Sequence, residues 1–341
     1  SKENFFEDDL PYAKKIAKEL GLSLQIIDTR SDWIESFDQM VWQLDEPQAD
    51  LAPINVSNIS YHAKQAGIKV LLGGVGGDDI FSGYRRHQAI VFNNILKLFP
   101  ANFLKLISKS FRIIPSYNSR INRLKKLTRD WGMSEINSIM GYFNWLPTNE
   151  YVNQLLSETV SNKVVNYNPY NYGEKILSNS QNLSIIDKLL KVEQNTFLID
   201  HNLNYTDKLS MIHGVEVRVP FLDLELVELA GHLPQEVKIK NNIPKYILKK
   251  VAEKYLPNEV IYRSKTGFGA PVHELLQNDF KGLIANDLNT DKIKKDNIFN
   301  HRTIAKMVSK NQKGDTNFSY NILSLLAIQS WLKQFPWNLN N

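Results

Sequence analysis

Apolar residues in the first part of the chain recur with helical spacing. Between residues 10 and 20 they fall at i, i+3, i+4 and i+7, which predicts an amphipathic helix that ends before Gly21. Asp32 and Glu35 have the spacing of a capping box and predict a helix over residues 32–44. A further helix is predicted from about residue 55 to residue 66, ending at Gly67.

Two short apolar runs between these helices predict β-strands. Residues 22–27 form the first run and residues 68–72 the second, and the second is apolar enough for a strand buried on both faces. Strands separated by helices indicate a doubly wound α/β arrangement with a parallel sheet. Because two or three strands make a poor parallel sheet, the α/β region is predicted to be incomplete.

The pattern changes to mainly helical after about residue 88. Helices are predicted over residues 185–203, 245–255 and 320–333, whereas residues 162–181 are rich in Asn, Tyr and Ser and predict a long surface loop. We therefore expect two regions, a partial α/β nucleotide-binding region at residues 1–90 and a helical region at residues 91–341.

The composition of the chain excludes several kinds of functional site. The chain of 341 residues has no Cys, which excludes disulfides, thiolate metal sites and a cysteine nucleophile within it. No apolar run is long enough for a membrane span, and the first residues lack the apolar core of a signal peptide, so a cytoplasmic protein is expected. The net charge of +5 is spread along the chain without a recognised binding motif, so nucleic acid is not expected as a partner.

The segment that carries candidate chemistry is a glycine-rich loop after the second predicted strand. Gly73, Gly74, Gly76 and Gly77 lead into two carboxylates, of which Asp78 is the first. Such a loop brings backbone N–H groups close to phosphate, and a carboxylate there suits Mg²⁺. The same spacing also fits a flexible turn with an N-capping aspartate, and it matches neither the Walker loop nor the dinucleotide fingerprint.

Segments in a fixed order along the chain resemble the asparagine synthetase family of glutamine-hydrolysing amidotransferases, in its C-terminal synthetase domain. The glycine loop with its acidic pair is similar to the family's Gly-rich, Asp-containing segment. Residues 45–50 resemble its Asp-Glu-Pro segment, residues 207–223 its longest signature, and residues 263–268 its later lysine-containing motif. The resemblance implies an ATP-pyrophosphatase-like parallel sheet with helices, followed by a mainly helical lobe.

The resemblance also implies roles for particular residues, with ATP and Mg²⁺ as cofactors. Asp78 would be a Mg²⁺ ligand, Gly73 and Gly74 would line the ATP site through their backbones, and Lys265 would neutralise the triphosphate and the leaving pyrophosphate.

Other conspicuous residues have structural as well as functional interpretations. Glu46 and Asp50 would shape the pocket for the substrate carboxylate, or would cap the next helix. Arg218 and Asp223 fit a packed corner with a structural ion pair better than a substrate contact, and a structural role is also favoured for His213.

The chain departs from the family at several points. The pyrophosphate-binding Ser-Gly-Gly-x-Asp-Ser loop and the cysteine-led glutaminase domain are not among these residues, which indicates a fragment or one part of a split protein. Val75 stands where asparagine-forming members have Glu, and valine cannot accept a proton. Together with Lys208 and Tyr205, Val75 leaves the acceptor open between aspartate and another carboxylate, such as a sugar uronic acid of surface polysaccharides.

The resemblance implies ATP-dependent amide formation by an asparagine synthetase-like ligase. A carboxylate would be adenylated and then attacked by ammonia released from glutamine by a glutaminase domain, so this fragment alone would be inactive. The alternative is a non-catalytic or split relative that binds a partner or nucleotide without turnover. A homodimer is one possible state of assembly.

Overall fold

The computed structural model describes residues 9–27, 33–96, 98–113, 125, 128, 131–143, 154–263 and 270–335. Within them the chain is a mostly helical α/β protein with a small parallel sheet.

In chain order, the elements as far as residue 211 are α1 (Leu10–Glu19), α2 (Trp33–Leu44), α3 (Ala52–Gln65), β1 (Val70–Leu72), α4 (Gly77–Phe81), α5 (Arg85–Leu96), α6 (Ala101–Ile113), α7 (Glu135–Gly141), α8 (Glu158–Lys163), α9 (Asn171–Ser178), α10 (Ile185–Asn195), a π-helix (Phe197–Leu203) and α11 (Asn204–Met211). They continue with β2 (Glu216–Arg218), a 3₁₀ turn (Pro220–Leu222), α12 (Leu224–His232), α13 (Gln235–Lys238), β3 (Ile239–Lys240), β4 (Ile243–Pro244), α14 (Tyr246–Ala252), α15 (Asn258–Ile261), α16 (Val272–Gln277), α17 (Lys281–Asp287), α18 (Thr290–Asp296), α19 (His301–Gln312), a 3₁₀ turn (Thr316–Phe318) and α20 (Ser319–Gln334).

These elements form two compact units, each assembled from separate stretches of chain. The sheet unit comprises Ser1–Met40, Asp50–Tyr84 and Leu198–Pro271, and the helical unit comprises Val41–Ala49, Arg85–Phe197 and Val272–Asn341. The predicted domains at residues 1–90 and 91–341 stay a prediction.

The helices predicted in the first part of the chain are confirmed as α1, α2 and α3, although Asp32, the predicted cap of α2, lies outside the described residues. Helix α3 begins at Ala52, earlier than predicted. The Asp50 carboxylate accepts a hydrogen bond from the Ala52 N–H at 3.0 Å, and Pro53 occupies the first turn, where proline is tolerated.

One of the two predicted strands is present in the sheet, but it is not buried on both faces as predicted, since Val70 and Leu72 are 39% and 75% exposed. Strand β1 lies within the predicted run and pairs in parallel with β2, in a register that places Leu71 opposite Val217. The strand predicted at residues 22–27 is wrong, since that segment joins no ladder among the described residues. Its alternating apolar side chains Leu22, Leu24 and Ile26 are 60%, 41% and 54% exposed. Alternation of apolar residues is therefore not sufficient for a strand, because a strand also needs a neighbour to pair with.

The surface loop predicted at residues 162–181 is also wrong, because it contains the end of α8 and all of α9. Helix α9 buries Gly173 and Leu177 at i and i+4, and it packs on α10. Its other faces carry the Asn and Ser residues, and their number led to the prediction of a loop.

The three helical regions predicted after residue 180 are present. The region predicted at residues 185–203 is α10 followed by the π-helix, and the helices predicted at 245–255 and 320–333 are confirmed as α14 and α20. None of the helices in the described ranges is long and apolar enough to cross a membrane.

Apolar packing next to the glycine loop fixes several elements of the sheet unit together. Ile80 and Phe81 of α4 and Ala230 of α12 are buried in one cluster, and Ile247 and Leu248 of α14 pack against it. Helices α4, α12 and α14 therefore share a core, which sets the position of the side chains they carry at the loop.

Candidate functional site

The glycine loop begins as a continuation of the parallel ladder. The N–H of Gly73 donates to the carbonyl of Arg218 at 2.7 Å, and a Cβ at Gly73 would lie 3.1 Å from Cγ1 of Val217. Its amide is therefore engaged by the sheet, and its lack of a side chain permits close packing against β2.

The next glycine has open space around it. A Cβ at Gly74 would meet no described atom within 4 Å, and the residue is exposed. Of the two glycines predicted to line an ATP site, Gly74 is thus the one whose backbone a ligand can approach. It follows the carboxyl end of β1, the position at which parallel α/β sheets bind ligands.

The loop turns into α4 at a position that requires glycine. Gly76 has φ of +94°, and a Cβ there would lie 2.6 Å from Cγ of Leu222. The turn holds α4 close to the 3₁₀ turn after β2, so Asp78 and Asp79 follow directly from a constrained backbone.

Asp78, the predicted Mg²⁺ ligand, forms an ion pair with a residue from a distant part of the chain. Its Oδ1 lies 3.1 Å from Nζ of Lys245, and the Asp78 and Lys245 side chains are 25% and 30% exposed. The carboxyl group also packs against Gly83, where a Cβ would lie 2.6 Å from Cγ of Asp78. The position of this carboxylate is therefore set from two sides.

The second carboxylate of the pair belongs to a buried polar network. Asp79 accepts from the Tyr84 hydroxyl, which lies 3.3 Å from each carboxylate oxygen, and that hydroxyl accepts from Nδ2 of Asn202 at 3.1 Å. Burial raises the pKa of the nearby Tyr205 hydroxyl, and the charges of Asp50 and Asp79 raise it further. Tyr205 is therefore a neutral hydroxyl at physiological pH.

Asp50 has two partners within the sheet unit. Besides accepting from the Ala52 N–H it lies 3.4 Å from Nε2 of His201, whose ring meets Tyr205 edge to face with centroids 5.2 Å apart. Asp50 contacts the first residue of α3, but the N-cap position itself is Leu51. Its predicted role in substrate binding stays a prediction.

Glu46 belongs to the helical unit. Its Oε1 accepts from Nε2 of Gln48 at 2.6 Å. Its predicted contribution to the acceptor pocket stays a prediction.

Lys265, the predicted triphosphate ligand, lies outside the described residues. The last described residue before it, Arg263, is tied to the start of the chain. It pairs with Asp9, and its guanidinium lies 4.9 Å from the centroid of the Tyr12 ring.

Asp223, Arg218 and His213 each contact other residues of the sheet unit. Asp223 caps α12 by accepting from the N–H groups of Glu225 and Leu226, while Arg218 pairs with Glu216 on its own strand at 2.8 Å. His213 lies 3.0 Å from the Ser57 hydroxyl of α3, and burial lowers its pKa. The predicted packed corner is not present, since Arg218 and Glu216 are 61% and 56% exposed and Asp223 is exposed as well. The choice between a structural role and a substrate contact for Arg218 therefore stays open.

Among the described residues no group of three or more His, Cys, Asp or Glu side chains could hold a metal ion. The described residues therefore offer no metal site built from protein ligands alone. The single carboxylate of Asp78 beside an open glycine loop does fit Mg²⁺, since this ion commonly takes one or two carboxylates together with substrate phosphates and water.

Comparison with known proteins decides the family. The family model for asparagine synthase matches residues 3–333. The chain belongs to the asparagine synthase family.

Curated relatives in this family differ in name. The chain is 26% identical over 292 residues to asparagine synthetase [glutamine-hydrolyzing] 1 of Bacillus subtilis, covering 83% of this chain and 43% of the relative. It is 23% identical over 295 residues to amidase chyE of Penicillium rubens, covering 77% of this chain and 41% of the relative. The chain thus spans about two fifths of the length of the curated relatives it matches.

The family motifs did not identify every residue at the loop. Lys245 lies in none of the segments that resemble the asparagine synthase motifs, and nothing in its local sequence indicates a partner near residue 78. Tyr84 lay inside the recognised loop but was given no role. Asn202 precedes the longest motif, and only the three-dimensional contact with Tyr84 connects it to the site.

Proposed function

We propose that the chain is the synthetase part of an ATP-dependent, amide-forming ligase with an ATP-pyrophosphatase-like fold. A carboxylate is adenylated, and ammonia released from glutamine elsewhere in the enzyme then displaces AMP. The observation that carries the proposal is the open Gly74 backbone beside the fixed Asp78 carboxylate, at the carboxyl end of a parallel strand, in a member of the asparagine synthase family.

Particular residues carry the binding of ATP in this proposal. The loop at Gly73 and Gly74 lets the nucleotide approach the backbone, Asp78 holds Mg²⁺, and Lys265 neutralises the phosphates. The chemistry that bound Mg²⁺ supplies is neutralisation of negative charge on the phosphate oxygens. Lys265 meets the charge that moves onto pyrophosphate as the acyl-adenylate forms.

The proposed reaction consists of two displacement steps. A carboxylate oxygen of the acceptor forms a bond to the α-phosphorus of ATP, and the bond from that phosphorus to pyrophosphate breaks. Ammonia nitrogen then bonds to the acyl carbon, the bond from that carbon to AMP breaks, and the ammonia proton leaves to water or phosphate. Val75 cannot take that proton, which is why solvent or phosphate is assigned the role.

The acceptor is a small carboxylate, either aspartate or a sugar uronic acid. Asp50, His201 and Tyr205 give the sheet unit a carboxylate, an imidazole and a neutral hydroxyl in contact, which are groups able to bind amines and hydroxyls of such a molecule. Val75 and the amidase name of one relative support including acceptors other than aspartate. Assembly as a homodimer and a cytoplasmic location stay predictions.

The alternative from another class is a non-catalytic relative that binds a nucleotide or a partner protein without turnover. Val75 favours it, because it replaces an acidic residue that asparagine-forming members are thought to use as a base.

Amide formation with free ammonium tests the proposal without requiring a glutaminase. The full-length gene product is incubated with MgATP, ammonium chloride and each of a panel of carboxylates that includes aspartate and several uronic acids, and AMP is measured together with the amide. We expect one acceptor to give AMP and amide in equal amounts, with both lost in Asp78→Asn. Absence of AMP with every carboxylate would favour the non-catalytic alternative.

A further inference from the structure

Acidic residues are missing from one long segment within the helical unit. Residues 88–129 contain nine Lys or Arg and no Asp or Glu, although the whole chain has a net charge of only +5. The net charge is therefore concentrated in this segment, which corrects the expectation that it is spread along the chain. A basic segment of this kind attracts an anionic partner.

Helix α6 lies in the middle of this segment and packs on the helical unit through one face. Leu104 and Ser108 of α6 are buried. Leu104 also lines a cavity together with Ile90 and Trp131. Because residues four apart lie on the same face of a helix, the face with Leu104 and Ser108 is the one that packs inward.

The exposed part of α6 carries apolar side chains. Phe103 and Leu106, three residues apart, are 51% and 64% exposed. Leu98 and Phe99, just before the helix, are 85% and 51% exposed. The ring centroids of Phe99 and Phe103 lie 6.5 Å apart, so apolar residues from both stretches are neighbours. Single exposed apolar residues are normal on a protein surface, whereas a group of them indicates a binding surface.

Lysines lie beside this apolar group. Lys105 and Lys109 are exposed, and neither forms an ion pair with a residue that the structure describes. Lys109 is three residues from Leu106, so the lysine side of the helix adjoins the apolar side. Lysine can lay its aliphatic stem on apolar surface while its ammonium reaches an anionic group. Apolar side chains next to cations are typical of a helix that lies in a membrane interface.

We propose that α6, together with residues 98 and 99, binds the surface of a bilayer that contains anionic phospholipid. Phe103 and Leu106 enter the boundary between the head groups and the acyl chains. Lys105 and Lys109 bind the anionic head groups. With 13 residues the helix lies on the membrane and is too short to span it.

The apolar group favours lipid over nucleic acid as the anionic partner. A nucleic acid pairs its phosphates with lysines but leaves Leu98 and Leu106 in water, whereas a bilayer takes up both kinds of side chain. The inference goes beyond the proposed function and does not depend on it, because none of the residues assigned to the nucleotide site lies in α6.

Co-sedimentation with sucrose-loaded vesicles tests the proposal. The full-length gene product is mixed with vesicles of phosphatidylcholine alone, or of phosphatidylcholine with phosphatidylserine, and the bound fraction is measured over a range of lipid concentrations. We expect binding to the anionic vesicles that exceeds binding to the neutral ones. The binding should weaken as salt is added, because salt screens the attraction between lysines and head groups.

Variants in α6 separate the apolar from the electrostatic contribution. Leu106→Gln should weaken binding to anionic vesicles about tenfold, since a leucine side chain is no longer buried in the bilayer. The pair Lys105→Gln and Lys109→Gln should weaken it about fivefold for each lysine. All three side chains are exposed, so the urea midpoints of these variants should equal that of wild type.

Matched controls make the same substitutions elsewhere. Leu229→Gln in α12 changes a leucine that is 59% exposed, with Glu225 and Glu228 within one helical turn of it. The pair Lys294→Gln and Lys295→Gln in α18 removes the same charge from the helical unit. Both controls should bind anionic vesicles as wild type does.

The contrary outcomes are distinct from one another. Wild-type protein that does not sediment with anionic vesicles would overturn the proposal, and a lower mass of Leu106→Gln in light scattering would then assign the surface to a second copy of the chain. Vesicle binding that survives the variants in α6 would place the membrane contact elsewhere and would also overturn it.

A purely electrostatic surface gives a different result. Binding that falls in the lysine pair but not in Leu106→Gln, with RNA competing for the same surface, would overturn the lipid assignment and indicate a nucleic-acid surface. None of these measurements involves ATP or a carboxylate, so failure of the inference leaves the proposed function untouched.

Discussion

Replacing Gly83 with alanine tests whether the Asp78 carboxylate is held as tightly as the structure indicates. The new Cβ would lie 2.6 Å from Cγ and 2.9 Å from Cα of Asp78, and closer still to Oδ1. Because carbon atoms in contact are separated by about 3.5–4.0 Å, the carboxyl carbon has to move by about 1 Å. We expect the change to disturb both the packing at the loop and the ion pair with Lys245.

The magnitude follows from two contributions. Forcing an extra carbon into packed structure costs about 1–3 kcal/mol. Loss of the partly exposed ion pair between Asp78 and Lys245 adds about 0–1 kcal/mol after solvent screening. The free energy of unfolding should therefore fall by about 2 kcal/mol in Gly83→Ala.

Urea unfolding followed by circular dichroism measures this change, with the shift in midpoint converted through a common slope. Gly231→Ala in α12 is the matched control, because a Cβ there meets no described atom within 4 Å, and it should be neutral or slightly stabilising. In an Asp78→Ala background, Gly83→Ala should cost less, since the carboxyl group is gone and only the 2.9 Å contact with the Cα of residue 78 remains. Equal stability of Gly83→Ala and wild type would refute the packing argument.

The remaining predictions concern other sites. Glu193 is fully buried, 2.7 Å from His87 and paired also with Arg86, so Glu193→Ala should lower the free energy of unfolding by about 3–5 kcal/mol, measured by urea unfolding. Because burial lowers the pKa of His213, its neutral form contributes stability above the unfolded value of about 6.5, and this is lost as pH falls through the folded pKa; a pH series of unfolding midpoints compared with His213→Gln measures it. Gly74→Ala should leave the unfolding midpoint unchanged but weaken MgATP binding measured by equilibrium dialysis, because its Cβ would enter space that the nucleotide uses.

Periodicity predicted six of the helices in the described part of the chain, namely α1, α2, α3, α10, α14 and α20, because their apolar positions recur with helical spacing. It failed at α9, where the stripe is only Gly173 and Leu177 among Asn, Ser and Tyr. It failed also at residues 22–27, because an alternating run shows the face of a strand but does not name the strand it pairs with. Pairing is a property of the whole sheet.

The candidate site was predictable as far as the motif extends. The glycines and Asp78 lie in one short segment, so their order along the chain indicated the loop and its chemistry. Lys245 could not be found in this way, because a two-residue asparagine turn and a shared core bring it to Asp78 from a distant segment. The contact is encoded by packing, which a linear motif does not record.

Exchange of labelled pyrophosphate into ATP is the most direct test of the central claim, that this chain carries the carboxylate-adenylating site of an amide-forming ligase. The exchange requires ATP, Mg²⁺, pyrophosphate and the acceptor but no ammonia, so it isolates the first displacement from the supply of ammonia. We expect the full-length gene product to show exchange that depends on one carboxylate and is abolished in Asp78→Asn and in Lys265→Ala, with Lys250→Met as active as wild type. Carboxylate-dependent exchange that survives both substitutions would contradict the site, and no exchange with any carboxylate would contradict the enzyme.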